Sequence, residues 1–251
     1  MPEAARRIGL PLAGIALVLA LWSLGATLLT ARTPVAAAFA PLPSLQALGR
    51  LLTGADIWYH TLLSLQRVAI GLLLAIGLGV PLGILTGLWR SFAQATTPAF
   101  QFLRMISPLS WMPIAVMVLG VGDAPVYFLL AFAAVWPVLL NTAAGVGQLD
   151  PNWLLLARSL SATRRETVLR VILPGITAHI LTGLRLAIGI IWIVLVPAEM
   201  LGVSAGLGYF ILDTRDRLAY SELMAAIVLI GALGYLLDHL ARWLHARWLH
   251  A

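Results

Sequence analysis

Six stretches of this chain are apolar almost without relief: roughly residues 8 to 30, 65 to 89, 102 to 121, 124 to 147, 176 to 203 and 221 to 244. Each matches the roughly 20 residues that a helix needs to cross about 30 Å of hydrocarbon. Backbone amides and carbonyls find no water in that layer, so each stretch must satisfy them internally as a helix. The pattern predicts an all-α, polytopic membrane protein with six transmembrane helices. The first stretch follows Arg6 and Arg7 in the manner of a secretory signal, but its 23 apolar-run residues, 8 to 30, exceed a usual signal core. A retained span is expected.

Polarity inside the spans is sparse and specific. The second span carries Gly71, Ala75, Gly79, Gly83 and Gly87 at strict four-residue spacing, a ridge that lets another helix approach closely because no side chain holds the backbones apart. The ridge suits packing within one subunit, a seam between two copies, or the wall of a path. Pro81 should bend that helix. The third span contains Ser107-Pro-Leu-Ser-Trp111-Met-Pro113 and should be irregular, which at membrane depth is tolerated only inside protein or beside water. Trp111 and Pro113 are therefore candidates for a translocation path. Arg185 and Glu199 are the ionisable residues best placed within the fifth span, and intramembrane charges are functional suspects. Fourteen residues apart on one straight helix, they stand about 21 Å from each other and cannot pair directly. Glu199 follows Pro197 near the outer end, where it could meet a helix terminus or line a vestibule, and Arg185 could reach the headgroups.

Two short segments between the spans have helical periodicity. Pro41, Pro43 and Ser44 precede Leu45, Leu48, Leu51 and Leu52, which predicts an amphipathic helix on the outer surface. The second begins at Asp150, a capping residue, with Pro151 in the first turn, and runs to about Leu160. Its apolar face is Trp153, Leu156, Ala157 and Leu160. Arginines flank it at 158, 164, 165 and 170.

Composition removes several classes of function. The chain is 61% hydrophobic and 10% charged and has no cysteine, so thiolate metal sites and cysteine nucleophiles are excluded. All sixteen basic residues are arginine, which rules out a phosphate-cradling loop with its lysine and any catalytic lysine. If ATP drives the protein, another chain binds it. No HExxH or GxSxG is present, and His60, His179, His239, His245 and His250 are scattered, so no metal or catalytic centre is expected. Arginines 6, 7, 90, 104, 158, 164, 165, 170, 242 and 247 fall on one side of the predicted topology and 32, 50, 67, 215 and 217 on the other. That asymmetry puts both termini in the cytoplasm. The net charge of +6 follows membrane topology rather than a nucleic-acid face. Trp58, Trp89, Trp243 and Trp248 near span ends suit interfacial anchoring. An ion-coupled carrier acting alone would call for more intramembrane acids, and no inverted repeat stands out.

Within the polar loop 150 to 174, Leu155-Leu156-Ala157, then Ser161, then Val171-Ile172-Leu173-Pro174 resemble the coupling loop of permease subunits of ATP-binding-cassette importers. There Glu-Ala-Ala is followed by Gly and by Ile-x-Leu-Pro at the same spacing; here the Glu and the Gly are replaced. Leu42-Pro-Ser, Gly79-Val-Pro-Leu-Gly83, Gly122-Asp123-Ala, Leu139-Leu-Asn141-Thr142, Leu181-Thr-Gly-Leu-Arg185 and Ala198-Glu199-Met200-Leu201 extend the likeness to the nitrate, sulfonate, taurine and bicarbonate branch. The resemblance implies a type I importer permease fold, with residues 1–40 as an N-terminal span and outer connection and 41–251 as the permease core. It also implies a multi-pass protein of the bacterial inner membrane that works as a dimer, normally a homodimer, and has no catalytic residue. Its partners are two ATPase subunits and a periplasmic or lipid-anchored substrate-binding protein. This chain binds no cofactor, and ATP with magnesium belongs to the ATPase. On that likeness Trp153, Leu155, Leu156, Ala157, Leu160, Ser161, Arg164, Arg165, Val171, Leu173 and Pro174 form the ATPase contact.

Overall fold

A computed structural model describes residues 3–249, with the backbone alone for 3–8, 11, 244, 245, 248 and 249. The side chains of Arg6, Arg7, His245 and Trp248, and all of His250, lie outside the described residues. Eleven α-helices follow in order: α1 Glu3–Thr30, α2 Pro41–Thr53, α3 Ala55–Leu88, α4 Arg90–Met105, α5 Met112–Leu119, α6 Asp123–Gly147, α7 Pro151–Ser159, α8 Arg164–Thr167, α9 Leu173–Gly202, α10 Leu207–Asp216 and α11 Tyr220–Leu249. Among the described residues there is no strand.

Five helical segments are long and apolar enough to cross a membrane: Leu12–Thr30, Ala55–Leu88, Asp123–Gly147, Arg164–Gly202 and Tyr220–Trp243. The third apolar run is not one helix from 102 to 121. It is α4 followed by Pro108–Leu119, bent by 89°. Pro108 is the cause, because its ring forces the residue before it out of the helical region. Ser107 accordingly holds a ψ of 129°, and Ile106 before it is already extended at 126°. The second span also differs from its expected start: its helix begins at Ala55, with Asp56 in the first turn, where the helix dipole favours a carboxylate.

The chain divides into two compact units. The first comprises residues 1–60 and 210–231. There the Trp22 indole donates to the Phe39 carbonyl at 2.8 Å, Ser221 donates to the Ala38 carbonyl at 3.0 Å, and the Phe39 and Tyr220 rings meet edge-on. Trp58 spends its indole N–H on the Leu52 carbonyl.

The second unit, residues 61–209 and 232–251, is built around α6. Its core includes Val126, Leu129, Leu130, Ala134 and Val138 of α6 with Ala187, Ile191, Leu195 and Ala198 of α9. The small-residue ridge of α3 lies along α6. A methyl group at Gly71 would stand 2.7 Å from Leu130 Cβ, at Gly79 2.9 Å from Val138 Cγ1, and at Gly83 2.6 Å from Thr142 Cβ. Gly87 meets Val146 in the same way, and Ala75 is fully buried. The facing residues on α6 repeat every four positions, as ridge-into-groove packing requires. On an adjoining face α6 meets α9 through Gly145 against His179 and Gly183 against the Pro137 carbonyl. Trp243 stays half-exposed under the Arg247 guanidinium, 5.3 Å from the ring centroid.

Overpacking of this seam should be costly. Gly83→Leu is expected to lower stability by at least about 1–3 kcal/mol, read as a drop in the thermal unfolding midpoint in detergent. Gly77→Leu, at a glycine on the same helix with nothing within 4 Å of its missing Cβ, should leave the midpoint near wild type. Equal midpoints for the two variants would dissociate the ridge from the fold's stability.

Candidate functional site

Local chemistry makes the 150–174 loop rigid. Asp150 accepts from the Asn152 amide at 2.9 Å, and Pro151 occupies the first turn of α7, so an orphan donor is satisfied and no amide is wasted. At the other end the Ser161 amide bonds the Arg158 carbonyl and the Ala162 amide bonds the Ala157 carbonyl. This is a complete Schellman motif, and it requires Ser161 to take a positive φ of 54°. A reciprocal capping box follows: the Glu166 amide donates to Thr163 Oγ1 at 3.2 Å and the Thr163 amide to Glu166 Oε2 at 2.9 Å. One π turn over Val168–Ile172 then feeds directly into α9.

The two arms of this loop border an open apolar groove of about 440 Å³, lined by Trp153, Leu156, Leu160, Val171, Pro174 and Gly175, with Ala157 and Arg170 also bordering it. Trp153, Leu156 and Leu160 are 50%, 59% and 73% exposed, a large apolar surface for so short a helix. Ala157, expected on the docking face, is buried and packs inward. Leu160 sits at the cap beyond the last helical turn. Leu155 is exposed without bordering the groove, and Leu173 packs inward against the cluster of Ile84, Val146, Ile172 and Ile176. Arg164 borders a separate cavity with Arg158, against Leu154 and the end of α3, while Arg165 is exposed.

The candidate path residues do not converge. Trp111 packs against Phe132, with ring centroids 5.7 Å apart, and Pro113 lies exposed in the first turn of α5. Arg185 faces Asp238 of α11 at 3.8 Å. Glu199 is fully buried and belongs to a cluster that was illegible from spacing. Arg67 Nη1 donates to Glu199 Oε1 and to the Ala205 carbonyl, each at 2.7 Å, while its Nε donates to Asp123 Oδ1 at 2.8 Å. Ser64 Oγ lies 2.7 Å from Glu199 Oε1 and accepts from the Leu207 amide, and the Gly208 amide donates to Glu199 Oε2 at 2.8 Å.

Glu199 thus meets the first turn of α10, where amides have no helical partner and the dipole is positive. Gly206, at a φ of +122°, and Gly208 leave no room for a Cβ beside the carboxylate. Arg67, counted on the outer side at the start of the span 65 to 89, is 3% exposed, so it carries no topological signal. The available hints were Ser64 three residues before Arg67 on an apolar helix, and the Gly-Leu-Gly that follows Glu199.

A further cavity of about 370 Å³ lies between α4, α6 and α9, lined by Arg104, Pro108, Trp136, Asn141, Leu186 and Ile190 among others. None of Trp111, Pro113, Arg185 and Glu199 borders it. Asn141 donates its amide to the Pro137 carbonyl at 2.8 Å.

Comparison with known proteins gives concordant matches. The model of the family of binding-protein-dependent transport system inner membrane components matches residues 79–250. The bicarbonate transport system permease protein CmpB of Synechococcus elongatus is 40% identical over 195 residues, 77% of this chain and 69% of that protein. The nitrate import permease protein NrtB of Leptolyngbya laminosa is 37% identical over 195 residues, 78% and 70%. The taurine transport system permease protein TauC of Escherichia coli is 32% identical over 241 residues, 93% and 86%. Among solved structures, an inward-facing MetNI methionine ABC transporter chain aligns with a TM-score of 0.59 at 15% identity, covering 82% of this chain and 97% of that one. This places the fold with type I importer permeases.

Two outcomes follow from the geometry. Glu199→Ala strips acceptors from Arg67, Ser64 and the Gly208 amide and should destabilise by about 3–5 kcal/mol; Arg67→Met with Glu199→Leu should recover part of that loss in equilibrium unfolding. Ser161→Gly relieves the left-handed strain and should slow amide hydrogen exchange in α7, a stabilisation of up to about 1 kcal/mol. Faster exchange in that variant would overturn the strain assignment.

Proposed function

This chain belongs to the family of binding-protein-dependent transport system inner membrane components, and we propose that it gates a path for a small anion while a separate ATPase supplies the work. It is the permease subunit of an ABC importer. The relatives named above carry bicarbonate, nitrate and taurine in their names, which favours a small anion or sulfonate as cargo. A dimer of permease chains, both termini in the cytoplasm, would pair with two ATPase subunits that hold ATP and magnesium, and a binding protein would deliver cargo from outside.

The observation that carries this reading is the exposed apolar surface of α7 on a rigid, doubly capped support. An apolar helix held outside the spans is stable in water only at a cost, and a groove in a partner removes that cost. The support is also mechanically linked. Trp153 of α7 lies over Gly175 at the start of α9, where a methyl group would stand 3.4 Å from its ring and 2.6 Å from Leu149. Displacement of α7 therefore pushes on α9, and α9 packs along α6. ATP-driven closure of the ATPase pair would swing the loop and switch the path from inward to outward access. Leu155 stands where the resembling family has an acid, so this contact relies on apolar burial rather than a charge-assisted bond.

Leu156→Asp places a charge in the docking surface and should reduce recovery of the partner ATPase in a pull-down by more than about tenfold, since desolvating an unpaired carboxylate costs several kcal/mol. Membrane insertion and thermal stability should remain unchanged, because Leu156 is exposed. Full recovery of the ATPase by that variant would move the docking face elsewhere.

A further inference from the structure

Arg104, assigned by topology to the inner face, has a different setting in the fold. It lines the 370 Å³ cavity with Ala133, Trp136, Pro137, Leu140 and Asn141, the middle turns of α6, and with Leu186 and Ile190, the middle of α9. An arginine at that depth in a membrane helix bundle faces a water-filled space or a counter-charge. Among the described residues no counter-charge is in reach, and Arg104 forms no ion pair. The described acids are engaged elsewhere: Asp123 and Glu199 with Arg67, Asp238 with Arg185 and Arg242, Asp213 and Glu222 with Arg217, Asp216 with Arg215, Asp56 with His60, and Asp150 and Glu166 as caps.

Three further facts converge on the same place. A smaller cavity of about 80 Å³ shares Arg104, Trp136 and Leu140 with the first and adds Thr86, Thr97 and Gln101; neither cavity has an acidic lining residue. The Trp136 indole N–H is buried without an acceptor, an unusual condition for a buried donor. Arg90, Gln94, Thr97, Gln101 and Arg104 follow one another at spacings of four and three. At 100° per residue they occupy one arc of about 80°, running about 21 Å along α4. All five are exposed, and polar side chains on a membrane helix face water or a protein partner rather than lipid.

We propose that this face of α4 is a wall of the transport path, and that Arg104 is the mid-depth station that holds the anion in transit through charge-assisted hydrogen bonds, with the Trp136 N–H as a second donor. The assignment rests on the importer reading and deepens it by naming where the cargo's charge is met. Arg104 is exposed at the cavity's edge, so its charge is open to an incoming anion, and Arg offers planar oxyanions two donors at once.

The native chain has no cysteine, so single thiols can report on this face without background. Thr97→Cys and Gln101→Cys, in the full chain in membranes, are treated with two methanethiosulfonates, one anionic with an ethylsulfonate group and one cationic with an ethyltrimethylammonium group. Rates are normalised to those of a free thiol in solution. Both positions should react, the anionic reagent at least about tenfold faster, and millimolar nitrate should slow it. Arg104→Gln should bring the ratio to about one, and Arg104→Lys should restore the preference.

Thiols at both positions that stay unreactive in variants eluting and melting like wild type would mean a sealed helix seam, and would overturn the proposal. So would an anion preference that survives Arg104→Gln. Recovery of the ATPase in the pull-down with no anion preference leaves the importer reading standing and removes the anion station. A wild-type chain that recovers no ATPase sinks the importer reading whatever the thiols do.

Discussion

Helices in an apolar layer gain little by hiding apolar surface from one another, because the surrounding lipid is as apolar as they are; what holds them is how closely their backbones can approach. In this protein α6 is approached from two sides through positions that lack side chains. Gly71, Ala75, Gly79, Gly83 and Gly87 of α3 fit between Leu130, Val138, Thr142 and Val146, and Gly145 and Gly183 bring α9 against the adjoining face, with Val138 shared by both seams. Dispersion contacts along both seams then accumulate over the full length of each helix. The cavity that Arg104 borders opens between α4, α6 and α9, so its shape depends on these seams being sealed.

Close packing alone leaves helices free to slide, and the buried ion cluster opposes that. Arg67 on α3, Asp123 at the start of α6 and Glu199 near the end of α9 are tied by bonds of 2.7 to 2.8 Å. The first turn of α10 is tied to the same carboxylate. Buried charges are tolerated only when paired and hydrogen-bonded, and such clusters specify geometry more than they add stability. One end of the three-helix contact is thereby held in register. The other end continues into the capped loop, which joins α6 to α9.

On the proposed reading, the loop and the cavity that Arg104 borders would divide the work of an importer permease between them. One is an apolar surface outside the spans on a support with satisfied amides. The other is a polar surface within them whose charge has no internal partner. The first calls for a protein and the second for a small anion, because an exposed apolar helix is covered by burial and an unpaired guanidinium by a counter-charge.

Local chemistry was enough to announce helices wherever apolar runs outlasted the bilayer and the start of α7 at Asp150 and Pro151; the positive φ at Ser161 came to light only in the structure, at the position where the resembling family has Gly. The four-residue repeat of small residues marked the seam on α3, although not which helix would fill it. Long-range pairing was hidden, because the partners of Arg67 lie 56 and 132 residues away and nothing in their spacing links them. Topology counts read Arg67 and Arg104 as charges at the outer and inner ends of their spans; both sit on helices whose beginnings precede the apolar runs, at Ala55 and Arg90. The break before Pro108 was foreseeable, since a proline restricts its neighbour wherever it occurs. That the break turns Arg104 toward the middle of α6 and α9 was decided only by how those helices pack.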